Sequence, residues 1–154
     1  MTTISLIRWT IAAVHLLGLG LGLGAIWSRS RALKDLSDPK NLQRALYADT
    51  LWGIAALVWI TTGLARAFSG LEKGSAYYLA NNAFWVKMIL LGIVLLLEIW
   101  PMVTLIRWRI QLARGEALNT QNASRFAVIS IAQAALVIGM VFAATAMARG
   151  LGAG

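Results

Sequence analysis

The sequence predicts an all-α fold, a four-helix transmembrane bundle forming a single integral membrane domain over residues 1–154. Three observations carry that reading. The chain is 59% hydrophobic and only 13% charged, about half the ~25% charged share of a soluble domain, and its mean hydropathy is +0.71. Four apolar stretches, at about residues 4–27, 45–68, 83–107 and 125–148, each exceed the ~20 residues a helix needs to cross ~30 Å of hydrocarbon. Backbone groups left unpaired in lipid are too costly for irregular structure, so such stretches are expected to be helical.

The first span runs from Ile4 to Trp27. Trp9 and Trp27 are separated by ~27 Å of helix, the spacing of two interfacial aromatic belts. No small-x-small cleavage site followed by a mature domain stands out, so the segment is expected to be retained rather than removed as a signal peptide. The second span covers Ala45 to Phe68, with Trp52 near its inner end. The third covers Ala83 to Arg107; Trp85 marks its outer end, and Trp100 and Trp108 its inner end. Pro101 is expected to bend it where it leaves the membrane. The fourth covers Arg125 to Ala148. The stretch SGLEKGSAYYLANNA, between spans two and three, reads as the longest outer loop.

Basic residues set the orientation. The connection between spans one and two holds Arg29, Arg31, Lys34, Lys40 and Arg44, and that between three and four holds Arg107, Arg109, Arg114 and Arg125. The other side holds Arg8, Arg66, Lys73, Lys87 and Arg149. Nine against five places both termini outside and the two basic loops in the cytoplasm. The net charge of +8 then reflects basic loops beside anionic lipid, with no nucleic-acid partner required. The absence of cysteine excludes disulfides, thiolate catalysis and Cys-ligated zinc or iron–sulfur sites.

This topology sorts the polar residues by depth. His15, Arg66 and Lys87 fall in an outer layer. Asp49 and Glu98 fall in an inner one, with Arg29, Arg107 and Arg109 nearby. Lys87 and Glu98 share one stripe of their helix but are ~16 Å apart along it, too far for an ion pair. Each therefore needs a partner on another helix, or a cavity. Asp49 or Glu98 is expected to pair with an inner-layer cation, whereas Lys87 alone has the option of snorkelling to the headgroups.

His15 is the only histidine, and Gly18 and Gly22 follow it on the same helix face. Two readings are open. Small residues spaced by four let helices approach closely in lipid, with His15 as a hydrogen-bonded core residue. Alternatively, a bare surface beside an imidazole makes room for a flat ligand such as a porphyrin, with His15 as the iron ligand. GLGLGLG is not a dinucleotide fingerprint, because it lies within a membrane span and follows no strand. A lone histidine without a carboxylate cluster argues against an all-protein transition-metal site. Ser/His/Asp chemistry is disfavoured because both membrane carboxylates lie in the opposite layer.

The segments RALYADTLWGIAALVWITTGLARAF and YYLANNAFWVKMILLGIVLLLEIWPMVTLIRWR resemble a family of small, uncharacterised bacterial inner-membrane proteins over roughly residues 8–109. That family is similar in turn to the four-helix HemJ-type protoporphyrinogen oxidases and, more distantly, to the copper-resistance membrane protein CopD. HemJ-type proteins carry a histidine in helix 1, an Arg-Leu-Tyr start to helix 2 and a lysine opening helix 3. Here His15, Leu46-Tyr47 and Lys87 stand in those places, while Glu98 stands where a late histidine of the third span is expected. The resemblance implies haem b as cofactor and a redox activity involving His15 and Lys87. The expected function is thus a haem- or porphyrin-binding membrane redox protein. His15 would be the metal ligand, Gly18 and Gly22 would admit the ring, Arg66 and Lys87 would hold acid groups, and Lys87 would take part in catalysis. The alternatives are an accessory membrane subunit, packed on a partner or a second copy, and a small transporter component.

Overall fold

The computed structural model describes residues 2–151; Met1 and residues 152–154 lie outside the described residues. The chain forms α1 (Thr3–Leu33), α2 (Pro39–Phe68), a short α3 (Ser75–Leu79), α4 (Asn82–Ala113) and α5 (Ala123–Ala148). The four long helices are each long and apolar enough to cross a membrane, so the protein is an all-α, multi-pass membrane protein.

Every long helix overruns the apolar stretch that marked it. Hydropathy identifies the lipid-immersed part, but helical hydrogen bonding continues into the interface until a cap ends it. α1 continues past Trp27 to Leu33, and α2 begins at Pro39 rather than Ala45. The Asp38 carboxylate accepts from the Lys40 amide at 2.8 Å, with Pro39 in the first turn, where a missing N–H costs nothing. In the same connection the Ser37 hydroxyl and amide donate to Asp35 and hold its carboxyl below the usual range. α4 starts on Asn81, whose side chain accepts from the Ala83 amide at 2.9 Å. It ends at Gly115, where φ is +70°. There the Gly115 and Glu116 amides donate to Leu112 and Gln111 carbonyls at 3.1 and 3.0 Å, a glycine-dependent helix stop. α4 also continues through Pro101, which is buried within it. α3 lies inside the segment expected to be a loop; five residues are too few to show a helical period.

α1 packs against α2 and α5, and α5 against α4, whereas α2 and α4 barely touch. Glycines set the α1–α2 contact. A Cβ on Gly18 would stand 3.4 Å from the Trp59 backbone nitrogen and 3.5 Å from the Ala55 oxygen, and one on Gly22 would stand 3.2 Å from the Trp52 ring. Close helix packing is therefore the role these glycines have. The expectation that Gly18 and Gly22 leave room for a ligand is corrected, because α2 covers them. Gly20 and Gly24 instead face open space.

The core has a central cluster around Ile26, Trp52, Trp59, Val94 and Val137. A second surrounds Leu33, Leu105, Trp108 and Phe126, and a small third comprises Ala67, Tyr78 and Phe84. Two of the presumed belt tryptophans, Trp52 and Trp108, are therefore core residues. Trp9, Trp27, Trp85 and Trp100 are exposed, as interfacial anchors are. Leu17, Leu21, Leu57, Leu96 and Phe142 are also exposed. On helices of this hydropathy, such faces contact lipid.

Candidate functional site

Two polar centres lie in this apolar bundle. The inner one is built around Arg29. The sequence placed this residue in a connection, but it lies within α1 with its side chain 0% exposed. Its Nε donates to Ser130 Oγ at 3.0 Å. Nη1 donates to Asp49 Oδ1 at 2.8 Å and Glu98 Oε1 at 2.7 Å. Nη2 donates to Glu98 Oε2 at 2.8 Å and Gln133 Oε1 at 2.9 Å. A guanidinium has five N–H donors, and each has an acceptor here. Gln133 Nε2 returns a bond to Glu98 at 2.8 Å. Arg109 Nη2 reaches the second Asp49 oxygen at 2.9 Å and the Leu46 carbonyl at 2.6 Å.

The centre thus holds two guanidinium groups and two carboxylates and joins α1, α2, α4 and α5. Charges cancel and Arg29 has no donor to spare, so it acts as a structural clasp and has no capacity for a ligand. The expected pairing of the inner carboxylates is met by both of them. Arg107 takes no part. Ser130 and Gln133 were missed by sequence reasoning, although Gln133 is a conspicuous amide in the middle of an apolar helix.

The outer centre is open chemistry around a cavity. The Thr62 hydroxyl lies 2.6 Å from the Val58 carbonyl, one turn back on α2, and donates its proton there. Its oxygen therefore accepts from His15 Nδ1, 2.9 Å away. In the tautomer that donates Nδ1–H to Thr62, Nε2 keeps a free lone pair. The imidazole also stacks on Trp59, with ring centroids 6.0 Å apart. A Cβ on Gly63 would come within 3.1 Å of His15 Cε1, so the glycine lets the imidazole lie close against α2. The Thr62-Gly63 pair is the local signal that sequence reasoning left unused.

His15, Arg66 and Lys87 line one cavity of about 420 Å³, the size range of small-molecule sites. Its wall is mainly apolar, including Trp59, Phe84, Met88 and Met140, and draws residues from all five helices. Gly18 and Gly22 are not part of this wall. Arg66 Nε is bonded to Glu72 Oε1 at 3.1 Å. Lys73 donates to the Tyr77 hydroxyl at 3.1 Å and lies over that ring, while Tyr77 donates to the Met147 carbonyl at 2.9 Å. Burial, aided by the nearby Glu72, pushes the Tyr78 phenol up, so it stays protonated. Among the described residues Lys87 has no hydrogen-bond acceptor and no carboxylate partner. The buried Trp59 indole N–H has no acceptor either.

The stripe shared by Lys87 and Glu98 is thereby explained. Glu98 finds its partner across the bundle, and Lys87 faces the cavity. No curated protein and no solved structure matches the chain. The model of one family, described as a predicted membrane protein (DUF2214), matches residues 7–152. That is nearly the whole chain, and the protein belongs to this family.

Proposed function

We propose that the protein binds haem b or a related porphyrin in the outer cavity and works as a membrane redox protein of the HemJ type. One observation carries the reading: the only imidazole and two membrane cations, from three different helices, line the same mainly apolar cavity of about 420 Å³. The residues fit the group. His15 Nδ1 lies 2.9 Å from the Thr62 hydroxyl, and the tautomer that donates there would leave Nε2 to ligate a metal. Lys87 and Arg66 would receive acid groups by charge-assisted hydrogen bonds. Lys87, unpaired at the cavity wall, is the candidate catalytic residue. Haem, when bound, supplies one-electron exchange. Glu98 is held by Arg29 and Gln133, so the protein ligand is His15 alone from this pair of positions.

The visible spectrum of protein purified in detergent after haem-replete expression tests the reading. A Soret band with sharp reduced bands is expected. His15→Ala should lose that spectrum, whereas Lys87→Ala should keep a weakened one, with affinity lower by ~1–3 kcal/mol. Colourless wild-type protein that also fails to take up added hemin would sink the proposal and favour an accessory subunit.

The membrane is proposed to be the bacterial inner membrane, with both termini periplasmic. Withdrawing Arg29 from the loop count leaves eight basic residues against five, so the sign of the bias is unchanged. A reporter fused at Gly154, a position outside the described residues, is expected to give an external signal. A cytoplasmic signal would invert the two layers.

A further inference from the structure

We infer that Glu72 is a built-in competitor for the ligand's second acid group: the cavity takes a first acid group at Lys87 directly and a second at Arg66 only by displacing Glu72. The inference rests on the proposal that the cavity is a ligand site. It starts from an inventory of charge along the cavity wall. Lys87 is half-buried and has no partner among the described residues. Lys73 is exposed and engaged with the Tyr77 hydroxyl and ring. Arg66 already holds a carboxylate, Glu72 at 3.1 Å. Among the described residues neither lysine has a carboxylate partner, but Lys73 keeps its charge in solvent, so Lys87 is the half-buried cation whose charge calls for an anion.

The position of Glu72 suits a displaceable group. It sits on the connection between α2 and α3, between Gly70 with φ +73° and Gly74 with φ +83°, backbone states that glycine adopts without strain. Both members of its ion pair are about one-third exposed, 31% and 30%. Ion pairs this wet are weak, so an incoming acid group can replace the Glu72 carboxylate on Arg66 at small cost. A second acid group must make that replacement; a first one, on Lys87, need not. The ligand is thus an apolar body whose first acidic head meets Lys87, and Glu72 sets the cost of seating a second one on Arg66.

The test uses full-length protein in nanodiscs. Wild type, Glu72→Gln and Lys87→Gln are titrated with protoporphyrin IX, its monomethyl ester, its dimethyl ester and a spin-labelled fatty acid. Wild type should bind the monoester at least as tightly as the diacid. Glu72→Gln should shift that preference toward the diacid by about tenfold, the range of one charge-assisted hydrogen bond. Lys87→Gln should bring the monoester close to the dimethyl ester. An unchanged diacid-to-monoester ratio in Glu72→Gln, with porphyrin still bound, overturns the role of Glu72 and leaves the porphyrin site standing. Lys87-dependent binding of the fatty acid without any porphyrin overturns the porphyrin reading but supports Lys87 as the seat of the first acid group. Failure of every carboxylate probe to bind wild type overturns both.

Discussion

Arg29→Ala is expected to destabilise the folded bundle by about 3–5 kcal/mol, the usual result of removing one partner from a buried ion network. The replacement deletes five hydrogen bonds at once. It leaves Glu98 with only Gln133 as a donor, while Asp49 keeps Arg109 at 2.9 Å. Glu98 is thus the group stranded, in a segment where an unpaired carboxylate is expensive. Arg29→Lys should fall between, because an ammonium retains the charge but cannot span Ser130, Asp49, Glu98 and Gln133 with three donors. The informative variant is Arg29→Met with Glu98→Leu. It removes a cation and an anion together, so it should be less destabilising than Arg29→Ala despite carrying two changes. Reversible unfolding in mixed micelles, followed by far-UV circular dichroism, measures all three. A loss below ~1 kcal/mol for Arg29→Ala would show that the clasp is ornamental. A double variant worse than the single would show that Arg29 does more than neutralise its carboxylates.

The clasp also bears on the outer cavity. Asp49 of α2 and Glu98 of α4 share Arg29, and Arg109 adds a second tie from α4 to α2. These two helices have little other contact. The inner end of their seam is therefore held by charge, while the outer end is left apart around the cavity. A weakened clasp should loosen the whole seam, so ligand affinity is expected to fall in Arg29→Ala even though no ligand-contacting residue has changed.

How much of this was legible in the sequence depends on the kind of signal. Four spans follow from hydropathy, because lipid demands long apolar helices. Depth along each helix then follows from a 1.5 Å rise, which is why His15, Arg66 and Lys87 were expected in one layer and do line one cavity. Rotation about each helix axis was not legible. Nearly every face of these helices is apolar, so the pattern that normally identifies a buried face is lost. That is why Trp52 and Trp108 were assigned to belts although both are core, and why Gly18 and Gly22 were given two readings. Arg29 was misplaced for a related reason. Positive charge near a span end counts as loop in a topology argument, yet here the helix extends beyond the apolar stretch to Leu33 and carries Arg29 inward. Glu72 was invisible because its partner depends on the path of a glycine-flanked connection, which no periodicity encodes.

Replacing both Gly18 and Gly22 with leucine should rank with loss of Arg29 among the damaging changes on α1, at roughly 3 kcal/mol or more from overpacking at two sites. Alanine at Gly18 would meet only ordinary contacts, at 3.4–3.5 Å, but two of its three nearest neighbours are backbone atoms of α2. Backbone cannot swing aside as a side chain can, so the extra atoms of leucine must push α1 off α2. Gly22 is tighter, with a Trp52 ring carbon at 3.2 Å, and that ring is fixed in the core. Separation of α1 and α2 should also stretch the 2.9 Å His15–Thr62 bond, and with it the imidazole tautomer. Ligand affinity should therefore drop along with stability. The control lies on the same helix: Gly20 and Gly24 have nothing within 4 Å. Leucine at both should raise stability by roughly 1 kcal/mol, since glycine is a poor helix former. Thermal unfolding of the two double variants in one detergent compares them directly. Equal tolerance of leucine at both pairs would mean that α2 does not rest on the Gly18–Gly22 face, and the His15 site built on that contact would fall with it.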